Sequence, residues 1–389
     1  MKFNKIILAI LAVISVSLFQ SCLKEQNDLF KEPNSLRLQA MLDDTKEVLM
    51  SAPYGWIFEY YPHKQKKYGG FIYTLKFDER EVNVGFELEP GEFEKSLYNL
   101  KGDNGPTLSF DSYNSLMHFF ATPWGGGTGE GYQAYDGDFE FALVEVKPSL
   151  ITLRGKRTGN IMYMRPLEVE ASQYLDGVVE VSDNTFLTEA TGTVGSAELL
   201  ADIDIDTRHM TLKSGEISVD QFFVPTATGI RFLEPVNIGD GEIVTLDYDA
   251  DNMVYSGVTS TGATVYLSGS LPPTYARFED YVGDFTIKFN SIYMVDVTLV
   301  PDKANSRFFV KGINPNYDVI ATYKKSAGLI EICSQQVAAE DDKLIWFCMW
   351  GVNPSTGSGS ITWTTDAGVY ITKDPETEGT YNITSNGYA

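Results

Sequence analysis

The chain has 389 residues, of which 43% are hydrophobic and 13% aromatic, which is enough apolar material for more than one buried core. Its formal net charge is −23 at pH 7. Because contact with a phosphate backbone requires a basic face, this charge argues against nucleic acid as a partner.

The N-terminus has the features of a lipoprotein signal. A basic start precedes an apolar run over residues 6–19, shorter than the roughly 20 residues that a spanning helix needs. It leads into LFQSC at residues 18–22, which resembles a bacterial lipobox. We therefore expect residues 1–21 to be a signal peptide, Cys22 to carry lipid, and residues 22–33 to be a polar tether. The acyl chains would anchor the protein by burying methylene groups; an ordinary secretory signal with a chance cysteine is the alternative.

One segment has helical periodicity. Residues 36–52 (LRLQAMLDDTKEVLMSA) follow Pro33 and place one set of side chains on a single face: Leu38, Leu42, Thr45, Val48 and Leu49. Pro53 and Gly55 end the pattern. The spacing predicts an N-terminal docking helix that covers a sheet.

From residue 56 onward, apolar and polar residues alternate in short runs separated by Gly, Asn, Asp and Pro. This pattern predicts a mainly β protein of antiparallel meander sheets, in barrel- or sandwich-like domains. Asp78, Asp111, Asp206 and Asp249 are each expected to start a turn by accepting backbone N–H bonds. Proline-containing seams divide the chain into a helix-plus-β domain (34–167), a middle β domain (168–272) and a C-terminal β domain (273–389).

The N-terminal half carries a series of short motifs. They are GW (55–56), YYP (60–62), GGF (69–71), KFD (76–78), FD (110–111), HF (118–119), GDFEF (137–141) and GK with TGN (155–160). Over residues 35–170 this set resembles a family of Bacteroidetes lipoproteins classified as a domain of unknown function, found beside outer-membrane import systems like the starch-utilisation machinery. The resemblance implies an accessory lipoprotein of nutrient uptake at the cell outer membrane, exposed at the surface or facing the periplasm, and it brings no catalytic residues.

A glycine-rich loop, PWGGGTGEGYQAYDGD at residues 123–138, is the main candidate ligand site. It lacks both GxGxxG and GxxxxGK spacing and joins two strands, so it does not predict a phosphate site. Aromatic rings can stack on sugar faces while carboxylates accept hydroxyl bonds. The predicted ligand-binding residues are therefore Trp124, Tyr132, Tyr135, Glu130, Asp136 and Asp138. In the alternative reading, Trp124 folds back onto the sheet and the glycines only allow the chain to turn.

Two cysteines remain after Cys22. Cys333 and Cys348 lie in LIEICSQ and LIWFCMW, two strand-like runs that could pair as a hairpin, so they could form a disulfide or remain two buried free thiols. No CxxC or nearby His supports a metal site. Asp202, Asp204 and Asp206 alternate on one strand, but the spacing of an EF-hand calcium loop is missing and a solvated face is favoured.

The sequence thus predicts a lipid-anchored, non-catalytic lipoprotein without a cofactor, which binds a glycan or a peptide for an outer-membrane import system. Two alternatives stay open: a structural partner of the transporter complex, and a carboxylate-dependent hydrolase. HExxH and GxSxG are absent from the sequence, and nothing singles out a pair of carboxylates.

Overall fold

The computed structural model describes residues 34–103, 105–123, 135–239, 241–289, 292–302, 306–340, 343–352 and 361–387. The predicted signal peptide, Cys22 and the tether lie outside these residues. The predicted mainly β, antiparallel fold is confirmed: the described ranges hold 28 strands and two α-helices, α1 (Asn34–Ser51) and α2 (Ala171–Asn184). α2 was not predicted. None of the helices in the described ranges is long and apolar enough to cross a membrane.

The first sheet has the strand order β4-β3-β2-β1-β9-β8-β7-β6-β5. Its strands are β1 (Trp56–Tyr60), β2 (Phe71–Phe77), β3 (Glu81–Phe86), β4 (Phe93–Leu97), β5 (Asn99–Gly102), β6 (Pro106–Ser109), β7 (Glu140–Lys147), β8 (Leu150–Gly155) and β9 (Ile161–Pro166).

One face of this sheet forms an aromatic core. Trp56, Phe58 and Tyr60 alternate along β1 and are all buried. Helix α1 packs on this core through Val48 and Leu49, two positions of the predicted apolar face. The Trp56 indole donates a hydrogen bond of 2.8 Å to the Leu49 carbonyl, which satisfies a helix-terminal acceptor.

The middle unit is a closed barrel of eight strands in sequence order, sealed where β17 pairs with β10. Its strands are β10 (Glu189–Val194), β11 (Ala197–Asp204), β12 (His209–Ser214), β13 (Ile217–Pro225), β14 (Gly229–Asn237), β15 (Glu242–Asp249), β16 (Val254–Val258) and β17 (Thr264–Ser268). Alternate side chains such as Leu199, Ile243 and Leu267 fill the interior.

Helix α2 and the barrel cover the second face of the first sheet. Leu175 and Val178 of α2, together with Val224 of the barrel, belong to the same buried cluster as the first sheet. Two buried carboxylates on this face meet arginines. Glu59 accepts Arg165 Nε at 2.9 Å and lies 3.2 Å from Arg231 Nε, while Glu87 accepts Arg208 Nη1 at 2.5 Å. Because Arg208 and Arg231 come from the barrel, these ion pairs join the two units.

The third sheet has the order β18-β19-β20-β21-β22-β27-β28 and follows a short 3₁₀ helix (Phe278–Tyr281). Its strands are β18 (Gly283–Phe289), β19 (Tyr293–Pro301), β20 (Arg307–Lys311), β21 (Val319–Lys324), β22 (Leu329–Cys333), β27 (Gly368–Lys373) and β28 (Tyr381–Ser385). Between β22 and β27 the chain forms two further hairpins. They consist of β23 (Gln335–Glu340) with β24 (Lys343–Phe347), and β25 (Trp350–Val352) with β26 (Ile361–Trp363).

The predicted aspartate turns are correct in part. Asp78 Oδ1 accepts the backbone N–H groups of Arg80 and Glu81, and Asp249 Oδ1 accepts that of Asn252. In the barrel the turn begins at Asp204, whose Oδ1 accepts two backbone N–H groups, and not at Asp206 as predicted. Asp111 accepts the Ser109 hydroxyl instead of starting a turn in this way.

Candidate functional site

The glycine-rich loop is only partly described. Trp124, Glu130 and Tyr132 lie outside the described residues, whereas Tyr135, Asp136 and Asp138 lie inside them. The structure therefore gives the surroundings of three of the six predicted ligand-binding residues.

Asp138 is buried and caps the turn between β8 and β9. Its Oδ1 accepts the backbone N–H of Arg157 at 2.5 Å and that of Thr158 at 3.2 Å, and its Oδ2 accepts the Thr158 hydroxyl at 2.5 Å. Burial raises the pKa of Asp138, although the bonds from Thr158 and Arg157 act in the opposite direction. Asp138, predicted to accept bonds from ligand hydroxyls, is instead committed to holding this turn.

Asp136 and Tyr135 contact the first sheet. The Asp136 carboxylate pairs with the Arg157 guanidinium, and its carbonyl accepts the His63 N–H at 3.2 Å. The Tyr135 ring meets the Tyr68 ring edge-on at 5.0 Å. These contacts fix the end of the loop, and the described part of it presents no group of exposed aromatic rings.

Exposed aromatic rings cluster elsewhere, on the two hairpins of the C-terminal unit. Trp346, Trp350 and Trp363 are 37%, 64% and 38% exposed; we call these three residues the tryptophan surface. By contrast, Trp56 is fully buried in the first sheet.

Strand geometry brings the three indoles together. Trp350 lies directly opposite Trp363 in the β25–β26 ladder, so their side chains share one face of that hairpin. The Trp346 ring on β24 lies 5.5 Å from the Trp363 ring, at an interplanar angle of 49°. Phe347 packs against the core of the third unit, and alternation along β24 therefore points Trp346 away from that core.

The tryptophan surface has both apolar and polar neighbours. Leu344, two residues before Trp346 and so on the same side of β24, is 59% exposed. Gln336 is exposed and lies directly opposite Trp346 in the β23–β24 ladder, where its amide offers both donors and an acceptor. Flat apolar rings beside an amide suit a ligand that has a C–H face and a rim of hydroxyl groups.

The tryptophan surface does not follow from the local sequence pattern. The run LIWFCMW has the pattern of an ordinary strand that could pair with LIEIC, and its apolar composition is equally typical of a buried strand. The one available signal was the density of tryptophan, since Trp346 and Trp350 are two of the five tryptophans in the chain.

The predicted cysteine hairpin is wrong. Cys333 ends β22, which pairs with β21 and β27, whereas Cys348 follows β24, which pairs with β23. Both cysteines are free thiols and partly exposed. Burial raises the pKa of the Cys333 thiol to about 11, so it is a poor nucleophile at neutral pH.

The other sequence candidates do not form a catalytic centre in the described residues. His118 lies between the Tyr113 and Phe139 rings, and its Nδ1 is 3.0 Å from the Asn114 carbonyl oxygen. Across the described ranges, no three His, Cys, Asp or Glu side chains are arranged to hold a metal ion. The absence of catalysis stays a prediction.

Two family models match the chain, one over each part. A family model described as a domain of unknown function (DUF4302) matches residues 26–250, and a second domain of unknown function, DUF4987, matches residues 259–389. The border between the two matches falls at β16, inside the closed barrel. A comparison with curated proteins gave no match.

Proposed function

We propose a function for this chain, which belongs to the DUF4302 family, from its tryptophan surface. It is a non-catalytic binding lipoprotein, anchored in the cell outer membrane through Cys22, that captures a glycan for an import system.

The observation that carries the glycan assignment is the contact between exposed indoles. Exposed large aromatic groups are costly to leave in water, and a cluster of them marks a binding surface. Trp350 and Trp363 offer adjacent flat faces on one hairpin, and Trp346 extends them onto the next. A sugar chain can lay the C–H faces of neighbouring units on such rings while the Gln336 amide reaches its hydroxyls.

The anchoring and the import role rest on the sequence. The lipobox-like LFQSC supports lipid on Cys22, and the motif resemblance over residues 35–170 supports an accessory role beside an outer-membrane transporter. The net charge of −23 suits a ligand that is neutral or cationic better than one that is anionic.

A glycan screen on protein starting at Leu23, followed by calorimetry of the best binder, tests the proposal. Trp350→Ala should weaken binding at least tenfold, because a central aromatic contact is worth more than about 1.4 kcal/mol. Tyr113→Ala removes an equally exposed ring, 65% exposed, from the segment between β6 and β7 and should leave the affinity unchanged.

The other outcomes separate the alternatives. If binding survives Trp350→Ala and is lost in Trp124→Ala, the ligand site lies at the glycine-rich loop and not at the tryptophan surface. If folded protein binds no glycan in the screen, the exposed Leu344 and its neighbouring indoles are better explained as a contact for the transporter, which is the scaffold alternative.

A further inference from the structure

The third sheet has two edge strands that run in the same direction. Each of its seven strands is antiparallel to the next, so the first and last, β18 and β28, are parallel to each other. In the described part of the chain, β18 pairs only with β19 and β28 only with β27. Along Gly283–Phe289 in β18 and residues 381–384 in β28, one side of each strand therefore presents backbone N–H and C=O groups without a ladder partner.

A cavity of about 620 Å³, with both polar and apolar lining residues, lies between these edges. Phe285 and Ile287 of β18 line one side, and Tyr381 and Ile383 of β28 line the other. Core residues including Val297, Val310, Ile330 and Ile371 form its floor. Ile383 is 44% exposed, so this interior is open to solvent along the β28 edge.

The charges around the gap are unequal at its two ends. Asp284, near the start of β18, and Glu376 and Glu378, in the turn before β28, are all exposed. Lys288 lies near the end of β18 and is also exposed. Because β18 and β28 start at the same end of the gap, that end is acidic.

We propose that this gap receives an extended segment of a partner protein as an eighth strand, antiparallel to both β18 and β28. Such a strand makes two antiparallel ladders and closes the sheet at eight strands, the number at which β10–β17 close in the same chain. A strand in the same direction as the edges would have to form two parallel ladders, which are less stable per residue.

The gap defines the chemistry of the segment. It spans five to seven residues, the lengths of β28 and β18. Alternate residues are apolar and enter the cavity, and the residues between them are polar and face water. Because the segment runs opposite to the edges, its C-terminal end lies at the acidic end and carries Arg or Lys. A small apolar ligand would fill the cavity but leave both backbone edges unpaired.

The probe is a library of seven-residue peptides with random apolar residues at alternating positions, Thr between them and a C-terminal Arg. It is screened against the chain from Leu23 onward, and the best peptide is measured by fluorescence polarisation. Hydrogen exchange should show new amide protection on both β18 and β28 in the complex. Ile383→Asp should weaken binding at least tenfold, whereas Thr384→Asp, on the other face of the same strand, should not.

The direction of the bound segment is tested with the same peptide carrying Arg at its N-terminal end. This peptide should bind less tightly than the original. Failure of the library to yield a saturable binder would overturn the proposal, as would protection of one edge only. A concentration-dependent dimer that protects both edges without peptide would assign the gap to a second copy. Trp350→Ala should leave peptide affinity unchanged, which keeps this site separate from the glycan site.

Discussion

Replacing Arg208 by alanine should weaken the contact between the first sheet and the barrel. Arg208 Nη1 donates to Glu87 Oε1 at 2.5 Å and to the Gly70 carbonyl at 2.6 Å, and its guanidinium lies 4.6 Å from the Phe71 ring centroid. The Glu87 side chain is only 2% exposed. Its Oε1 also accepts the Ile72 N–H at 3.2 Å. The substitution therefore leaves a buried carboxylate with one weak backbone donor.

The expected cost follows from this geometry. Breaking a buried ion pair by removing one partner costs about 3–5 kcal/mol, because the remaining charge is desolvated and unpaired. The lost hydrogen bond to Gly70 adds about 1 kcal/mol to the lower end of that range, because that is the net worth of one bond. We expect the free energy of unfolding of the first sheet to fall by about 4 kcal/mol at neutral pH.

The cost should depend on pH with a definite sign. Burial raises the pKa of Glu87 above its ordinary value of 4.5, and Arg208 opposes this shift. A raised pKa means that the folded state binds the proton more tightly, so the stability contributed by this group falls as pH rises from 4.5 through the raised pKa. Removing Arg208 raises the pKa further. Arg208→Ala should thus cost less at about pH 5 than at pH 7.

Urea denaturation followed by tryptophan emission measures the effect, because the buried Trp56 reports on the first sheet. Arg157→Ala is the matched control: it breaks the pair with Asp136, in which both side chains are about half exposed, and should cost less than about 1 kcal/mol. A cost for Arg208→Ala below about 1 kcal/mol at pH 7, or one that grows toward acid, would refute this reasoning.

Two further predictions concern the turn and the anchor. Asp138→Ala should lower the free energy of unfolding by about 2–4 kcal/mol, since it leaves the Arg157 and Thr158 donors unpaired. Asp136→Asn, at a half-exposed position with a φ of +56°, should cost far less in the same thermal melt, and equal costs would contradict the capping role. Cys22→Ala should move the expressed protein from the detergent phase to the aqueous phase, and a variant that stays in detergent would show that Cys22 is not the anchor.

Local sequence patterns predicted the elements whose determinants are local. α1 has a 3.6-residue apolar period and is followed by Pro53 and Gly55, and Asp78 starts a turn with its own carboxylate. α2 was missed because Gly177 and three valines lower its helix propensity. Gly177 is needed by the tertiary structure: a side chain there would collide with Ala227 of the barrel. The residue that requires a glycine at position 177 lies about 50 residues away in the sequence, and no local periodicity can indicate such a contact.

The closure of the barrel could not be predicted from the sequence either, because it depends on a contact between distant residues. β10 and β17 seal the barrel across most of the middle unit, and Gly192 at this seam lies so close to the Tyr266 carbonyl that a side chain would not fit. The alternation of apolar and polar residues along β10 would be the same with or without β17 as its partner. The predicted hairpin of the two cysteine strands was wrong for a similar reason: β22 pairs with β27, and the strands between them leave the sheet.

The three sheets therefore share one local pattern and differ in how they are completed. In the first, α1 and an aromatic core fill one face and the barrel covers the other. In the second, the β10–β17 ladder leaves no edge to pair. In the third, the described strands leave two edges and an open cavity, and the two hairpins beside it carry three exposed indoles. An unpaired edge can pair with a strand of another chain, and a cluster of exposed aromatic rings can bind a ligand. Both proposed binding sites accordingly fall in the C-terminal unit, where an open cavity and exposed indoles occur together.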